Sequence, residues 1–246
     1  MASARALDRG PLLLALESSS RTPSVALFRG SALLAEVEGA AGRTGAESLL
    51  PGVDAVLRQA QLGPAAIEAF AVSIGPGSFT GLRVGVATIK GLAFDTQKPV
   101  VAVPTLAALA LAALSSVAAR GVPVVGLLDA RRDEVYAAGW ELHEPDGRLR
   151  PARPLEGVYT AQALASALPA RALLVGEGVA VCGQRARELA GPGVELGPTR
   201  EPHAREVGLL GQRALSEGAY LSAAELVPRY VRRAEAEVKR TGQRFE

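Results

Sequence analysis

Apolar and polar positions divide the chain into short strands and longer helices. The run "LLLAL" at 12–16 is wholly apolar, as a strand covered on both faces requires. It stops at Glu17, and the polar "SSSRTP" separates it from a second run, "SVALF". Turn chemistry between two strand-like runs predicts a hairpin. A third strand fits 31–38. After the Gly/Ala-rich "GAAGRTG", Leu49, Val53, Val56, Leu57 and Ala60 share one face of a helix over 46–60. Residues 69–74 form the next strand and lead into "SIGPGSFTGLRVGVATIKGLAF".

In that stretch Gly75-Pro76-Gly77 fixes a turn, and Ser78 or Thr80 caps a helix. Leu82, Val86, Ile89 and Ala93 lie on one apolar face of it. Gly81 and Gly85 leave a strip without side chains, at about 1 kcal/mol each relative to Ala. Close approach of another helix, or of the sheet, offsets such a cost. Arg83, Ala87, Lys90 and Phe94 form a separate stripe that faces solvent or a partner. The stretch is an imperfect phosphate loop, since neither G-x-x-x-x-G-K-[ST] nor G-x-G-x-x-G is present. A helix start after a glycine turn stays an alternative anion site.

The second half repeats the plan. An apolar strand at 122–128 ends in Asp129, then come "ARRD" and "EVYAAGWEL". Glu17 and Asp129 stand in equivalent places 112 residues apart, a spacing that predicts two copies of one domain fold. Residues 151–154 read as loop, "ALLVGEGVAVCG" as a strand entering a glycine turn, and 207–216 as helix. The expected organisation is a first domain over 11–103 and a second over 104–216. Segment 217–235 is expected to pack back on the first, and the charged tail at 236–246 is expected to be disordered.

Composition narrows the chemistry. With 48% hydrophobic, 21% charged and 4% aromatic residues, the 246-residue chain fits an α/β protein with a sizeable core. The net charge of +2 neither requires nor excludes a nucleic-acid partner. The single cysteine, Cys182, excludes an internal disulfide and a cysteine metal cluster and reads as a small buried hydrophobe. Between 100 and 128 the sole charge is Arg120, enough to suggest a membrane span. Pro104 and Pro123 cut that run into strand, buried helix, turn and strand. The opening "MASARALDRGP" has no apolar signal core, so a cytoplasmic protein without membrane contact is expected. His143 and His203 belong to no H-x-x-x-H or H-E-x-x-H pattern, and no G-x-S-x-G occurs, so metal and serine-hydrolase motifs are absent.

The blocks "LLLALESSS…SVALF", "SIGPGSFTGLRVGVATIKGLAF", "LLDARRDEVYAAGW" and "LVPRYVRR" occur in the order seen in the bacterial TsaB (YeaZ) family. The chain resembles that family from about residue 12 to 233. The resemblance implies an actin-like ATPase (ASKHA) fold of two ribonuclease H-like domains with mixed sheets. It also implies a non-catalytic role in forming N6-threonylcarbamoyladenosine in tRNA. The implied partners are a TsaD-type catalytic subunit, a TsaE-type ATPase, tRNA through the complex, and a second copy in a homodimer. The implied partner surface is the helix pair of the first domain. The expected interface residues are Leu49, Leu50, Val53, Leu57, Gly81, Leu82, Arg83, Gly85, Val86, Ile89 and Lys90. The catalytic relative carries its metal histidines where this chain has "RTGAESLLP", which has none.

Two alternatives remain. In active members of the wider fold, acids at the ends of the first strands hold the magnesium of a nucleotide, which makes Glu17 and Asp129 candidates. Most TsaB proteins have Asp-Thr where this chain has Glu17-Ser18. No cofactor is expected on the chain alone, with ATP and magnesium entering in the assembled complex. The other alternative is tRNA binding by Arg229, Arg232, Arg233, Lys239, Arg240 and Arg244, against which Glu235, Glu237 and Glu246 offset half the charge.

Overall fold

The computed structural model describes residues 10–39, 45–116, 121–143 and 146–232. The described residues divide into two compact units. The first contains those up to Thr105 together with Pro202–Arg229, and the second contains those within Leu106–Glu201 together with those from Tyr230 on.

In the first unit, β1 (Leu12–Glu17), β2 (Ser24–Arg29) and β3 (Ala32–Glu38) form an antiparallel meander. Strands β4 (Ala69–Gly75) and β5 (Val100–Pro104) add in parallel on the other side of β1, giving the order β3-β2-β1-β4-β5. Helix α1 (Gly45–Gln59) precedes β4, and α2 (Phe79–Leu92) lies between β4 and β5. Period-two alternation on β1 sends Leu12, Leu14 and Leu16 into one core with Leu49, Val53, Val56 and Leu57 of α1 and Val86 and Ile89 of α2. Both faces of β1 are buried, which explains its unbroken apolar run.

The second unit has the same topology. β6 (Val124–Asp129), β7 (Glu134–His143) and β8 (Arg148–Thr160) are antiparallel, and β9 (Ala172–Val175) and β10 (Val194–Leu196) run parallel to β6. Counted from its own first strand, each sheet reads 3-2-1-4-5. The duplication expected from the repeated strand–acid–turn–strand pattern is therefore present in the fold.

Each unit is completed by a helix that follows the other unit's last strand. Helix α3 (Thr105–Ser116) leaves β5, yet its Leu106, Leu109, Ala110 and Ala113 pack with Val124, Leu128, Leu173 and Val175 of the second sheet. Helix α4 (Ala161–Ala167) and α5 (Gln184–Ala190), entered through a π-helical turn at Val179–Gly183, cover that sheet's opposite face, where Leu164 and Ala186 meet Val125 and Leu127. Helix α6 (Ala204–Ser216) leaves β10 but lies on β1, β2 and β4. The 207–216 helix, assigned above to the second domain, thus belongs to the first unit. Periodicity identifies an apolar face but not the sheet that receives it.

The loop expected at 151–154 is instead part of β8. Its prolines are tolerated because β8 is the edge strand, where a missing N–H costs no ladder bond, and the register shifts opposite Ala137 and Gly139. The strand entering a glycine turn expected from "ALLVGEGVAVCG" is present: it spans Ala172–Val175 and turns at Gly176, φ +102. The tail at 236–246 lies outside the described residues.

Two glycines let α6 seat. A Cβ at Gly208 would overlap the buried ring of Phe28, and one at Gly211 would come 2.6 Å from Ala71 Cβ. Helix propensity alone favours Gly208→Ala by about 1 kcal/mol, whereas overpacking a closed core costs about 1–3 kcal/mol. Overpacking should win, with a net loss of up to about 2 kcal/mol in urea unfolding. A variant as stable as the parent would show that α6 seats more loosely than described.

Candidate functional site

Strand β1 ends in a carboxylate with no access to water. Oε1 of Glu17 accepts from the Ser19 N–H at 2.7 Å, from the Ser19 hydroxyl and from the Ser73 hydroxyl at 3.2 Å, while Oε2 accepts from the Ser20 hydroxyl at 2.8 Å. Burial pushes the Glu17 carboxyl above its ordinary range, and the bonds from Ser19, Ser20 and Ser73 oppose that rise without cancelling it. As a magnesium ligand Glu17 does not fit: its side chain is sealed from solvent, and both of its oxygens already accept hydrogen bonds from the protein.

The adjoining residues fasten this turn to β4 and α2. The Ser18 N–H donates to Ser73 Oγ at 3.4 Å, and the Ser18 hydroxyl donates to the Gly81 carbonyl at 2.9 Å. A Cβ at Gly81 would overlap the Ser18 carbonyl oxygen, and one at Gly85 the Ser18 hydroxyl. The close neighbour of the glycine strip is therefore the β1–β2 turn. At the start of α2, the Ser78 N–H donates to Ser19 O at 2.8 Å and the Gly81 N–H to Ser78 Oγ at 3.2 Å. Two donors that a phosphate loop would offer already have acceptors. Gly75, at φ +126, faces the Arg229 carbonyl where a side chain would collide, and the Arg229 N–H donates to Ile74 O at 2.7 Å.

Asp129 terminates β6 differently. One oxygen accepts the Arg131 N–H at 2.7 Å and the other pairs with the Arg131 guanidinium at 3.2 Å. Arg131, Arg132 and Asp133 all have left-handed φ, at 65°, 58° and 57°, an uncommon and costly run for residues with side chains. The Ala130 N–H donates to Glu134 O at 2.9 Å. Arg232 clamps the same turn, donating to Ala130 O at 2.6 Å and pairing with Glu134. Arg232 is thus committed to the protein itself. Arg233, Lys239, Arg240 and Arg244 lie outside the described residues. Cys182 is buried, and burial, with the charges of Asp129 and Asp133, pushes its thiol up to about 11.

The expected partner residues separate into two groups. Leu49, Val53, Leu57, Leu82, Gly85, Val86 and Ile89 are buried within the first unit, so they cannot form an outer surface as folded. The apolar periodicity that singled them out is the signature of the core-facing side. Gly81 is covered by Ser18. Leu50, 56% exposed, and Arg83 do face outward, and Lys90 is half-buried with its Nζ donating to Ala224 O at 3.2 Å. Phe79 belongs with them, because the Arg83 guanidinium lies 4.2 Å from its ring centre. Phe79, Arg83, Ala87, Lys90 and Phe94 fall at i, i+4, i+8, i+11 and i+15. One turn back from Arg83, the same spacing would have found Phe79. His143 and His203 sit beside Asp146 and Glu38, at 3.0 and 3.2 Å. Among the described residues no group of three His, Cys, Asp or Glu side chains could hold a metal ion, and no helix is long and apolar enough to cross a membrane.

The family model described as "TsaD: tRNA N6-adenosine threonylcarbamoyltransferase" matches residues 39–240. The chain is 42% identical over 125 residues to the tRNA threonylcarbamoyladenosine biosynthesis protein TsaB of Haemophilus influenzae, covering 50% of this chain and 51% of that protein. It is 29% identical over 235 residues to the Bacillus subtilis protein of the same name, covering 92% and 96%. The chain thus spans about half the length of the first relative and nearly all of the second. The solved structure of YeaZ from Pseudomonas aeruginosa matches with a TM-score of 0.79 and 32% identity, covering 89% of this chain and 99% of that one. With the paired 3-2-1-4-5 sheets, these matches identify an actin-like ATPase (ASKHA) fold of two ribonuclease H-like domains.

Glu17 makes stability depend on pH. A carboxyl whose pKa is higher in the folded state holds its proton there more tightly than in the unfolded chain. Its contribution is full below the ordinary Glu range and is lost as pH rises through the folded value. Glu17→Gln should remove that loss, so the stability advantage of the parent over the variant should shrink or reverse from about pH 4 to neutrality. Parallel melting curves at stepped pH check this, and a constant difference would contradict it.

Proposed function

Since the chain belongs to the TsaB (YeaZ) family of tRNA threonylcarbamoyladenosine biosynthesis proteins, we propose that it is a non-catalytic cytoplasmic scaffold that binds and stabilises a TsaD-type catalytic subunit. In this reading a TsaE-type ATPase joins the same assembly, which is where ATP and magnesium act. The subunit meets tRNA through the complex, and a homodimer uses the same surface when the catalytic partner is absent.

The observation that carries the proposal is the outer face of α1 and α2. Leu50, Phe79 and Arg83 combine an exposed aliphatic side chain, an aromatic ring and a guanidinium, and arginine is among the residue types enriched at binding hot spots. Stacking on Phe79 restricts Arg83 before a partner arrives, which lowers the ordering cost of association. Two adjacent helices can offer the area of about 800 Å² per partner that a stable interface needs. The competing reading, an ATPase using Glu17 and Asp129, has against it the buried, hydrogen-bonded Glu17 carboxylate and the Arg131 pairing of Asp129.

Leu50→Glu combined with Arg83→Glu should weaken co-purification with the catalytic subunit by about 30-fold or more, consistent with losing a hot spot worth about 2 kcal/mol. Both side chains are exposed, so the melting temperature should hardly change. Undiminished binding by the folded double variant would rule out this face. Gly85→Leu is unsuitable for the purpose, because it collides with Ser18 and perturbs the fold itself.

A further inference from the structure

A cavity of about 590 Å³ opens within the first unit between the C-terminal end of α2 with its following loop and the segment from Tyr220 to Glu225. That segment is held against the sheet edge by two backbone hydrogen bonds between Val100 and Leu221, each 2.9 Å. Ala93, Pro99, Leu221 and Ala223 contribute apolar lining. Two aromatic side chains in the lining stand largely in solvent, Phe94 at 81% and Tyr220 at 57% exposure.

Lys90 and Lys98 also line the cavity. Their ammonium groups touch only carbonyl oxygens, Ala224 O at 3.2 Å and Ala65 O at 3.5 Å, and neither forms an ion pair among the described residues. The acids nearby do not neutralise them at contact distance. Glu225 turns back to accept the Ser222 N–H and hydroxyl at 2.9 and 2.7 Å, and Asp95 lies on the exposed loop. Asp95 and Gln97 hold left-handed φ of 56° and 53°, so the loop adopts a costly conformation beside the cavity.

We propose that this cavity binds an unpaired nucleotide of an RNA strand, its base stacked on Phe94 and Tyr220 and its flanking phosphates on Lys90 and Lys98. Every base offers a flat π face to an aromatic ring, and lysine serves phosphate as a point charge. An acidic peptide is the weaker fit, since the cavity has no arginine fork for a carboxylate. The proposal rests on the reading of the chain as a tRNA-modification subunit, to which it adds a direct contact with the RNA.

The test is fluorescence anisotropy of the full chain with a short labelled oligoadenylate. Tyr220→Ala should weaken binding by about 5- to 100-fold, the loss expected for one stacked base, and Tyr220→Phe should retain it. Lys98→Gln should reduce the slope of log affinity against log salt by about 0.7. Pull-down of the catalytic subunit by Tyr220→Ala and Lys98→Gln should be unchanged, because neither residue lies on the α1–α2 face. Loss of RNA binding with retained pull-down supports the site. RNA binding that depends on both residues while Leu50 and Arg83 prove irrelevant to the catalytic subunit keeps the site and removes the scaffold interface. No binding by the parent chain, equal binding by all variants, or adenosine monophosphate competing as tightly as the strand would overturn the proposal. So would loss of the protein partner with RNA binding intact.

Discussion

A carboxylate sealed at the end of the first strand organises the rest of the first unit. An unpaired ionised group at the position of Glu17 would be strongly destabilising, so the chain surrounds it with Ser19, Ser20 and Ser73. Those serines lie on two elements, the β1–β2 turn and β4, and satisfying the carboxylate therefore fixes one against the other. Ser18 extends the constraint to α2 through the Gly81 carbonyl. Once the turn is pressed onto the helix, positions 81 and 85 have no room for a Cβ. The helix-propensity cost of two glycines follows from the polar arrangement beneath them.

The second unit solves the equivalent problem in another way. Its strand-end acid, Asp129, is held by its own turn, and the strain of three left-handed residues is offset by Arg232, which comes from about a hundred residues further along the chain. Duplication has thus preserved sheet order while the chemistry at the two strand ends diverged. The exchange of helices follows from the same topology: α3 and α6 each complete the sheet that their own preceding strand does not belong to.

Much of this was legible in the sequence, because period-two and period-3.6 patterns report burial directly. The hairpin around Glu17, the Leu49–Val53–Leu57 face and the repeat at Asp129 all stand where the patterns put them. What the patterns could not report was the identity of a neighbour. Nothing in "GLRVG" says that Ser18, 63 residues earlier, occupies the space left by Gly81. Nothing in α6 assigns it to the first sheet, and the prolines of β8 read as loop because edge position is a property of the whole sheet. For the same reason the strongest apolar positions of α1 and α2 suggested a partner surface but belong to the core.

That last confusion bears on how a face for partners must be sought. Helix α2 has three sides with different duties: Leu82, Val86 and Ile89 are buried inward, Gly81 and Gly85 meet the turn, and Phe79, Arg83 and Ala87 remain outside. A side already satisfied by the chain's own core has nothing left to give a partner, however hydrophobic it is. A binding side must keep unspent apolar area while remaining soluble, and a ring covered by a guanidinium meets both requirements. The informative signal in such a helix is therefore the apolar residue that keeps the helical period but stands out of phase with the core, here the aromatic Phe79 one turn before Arg83.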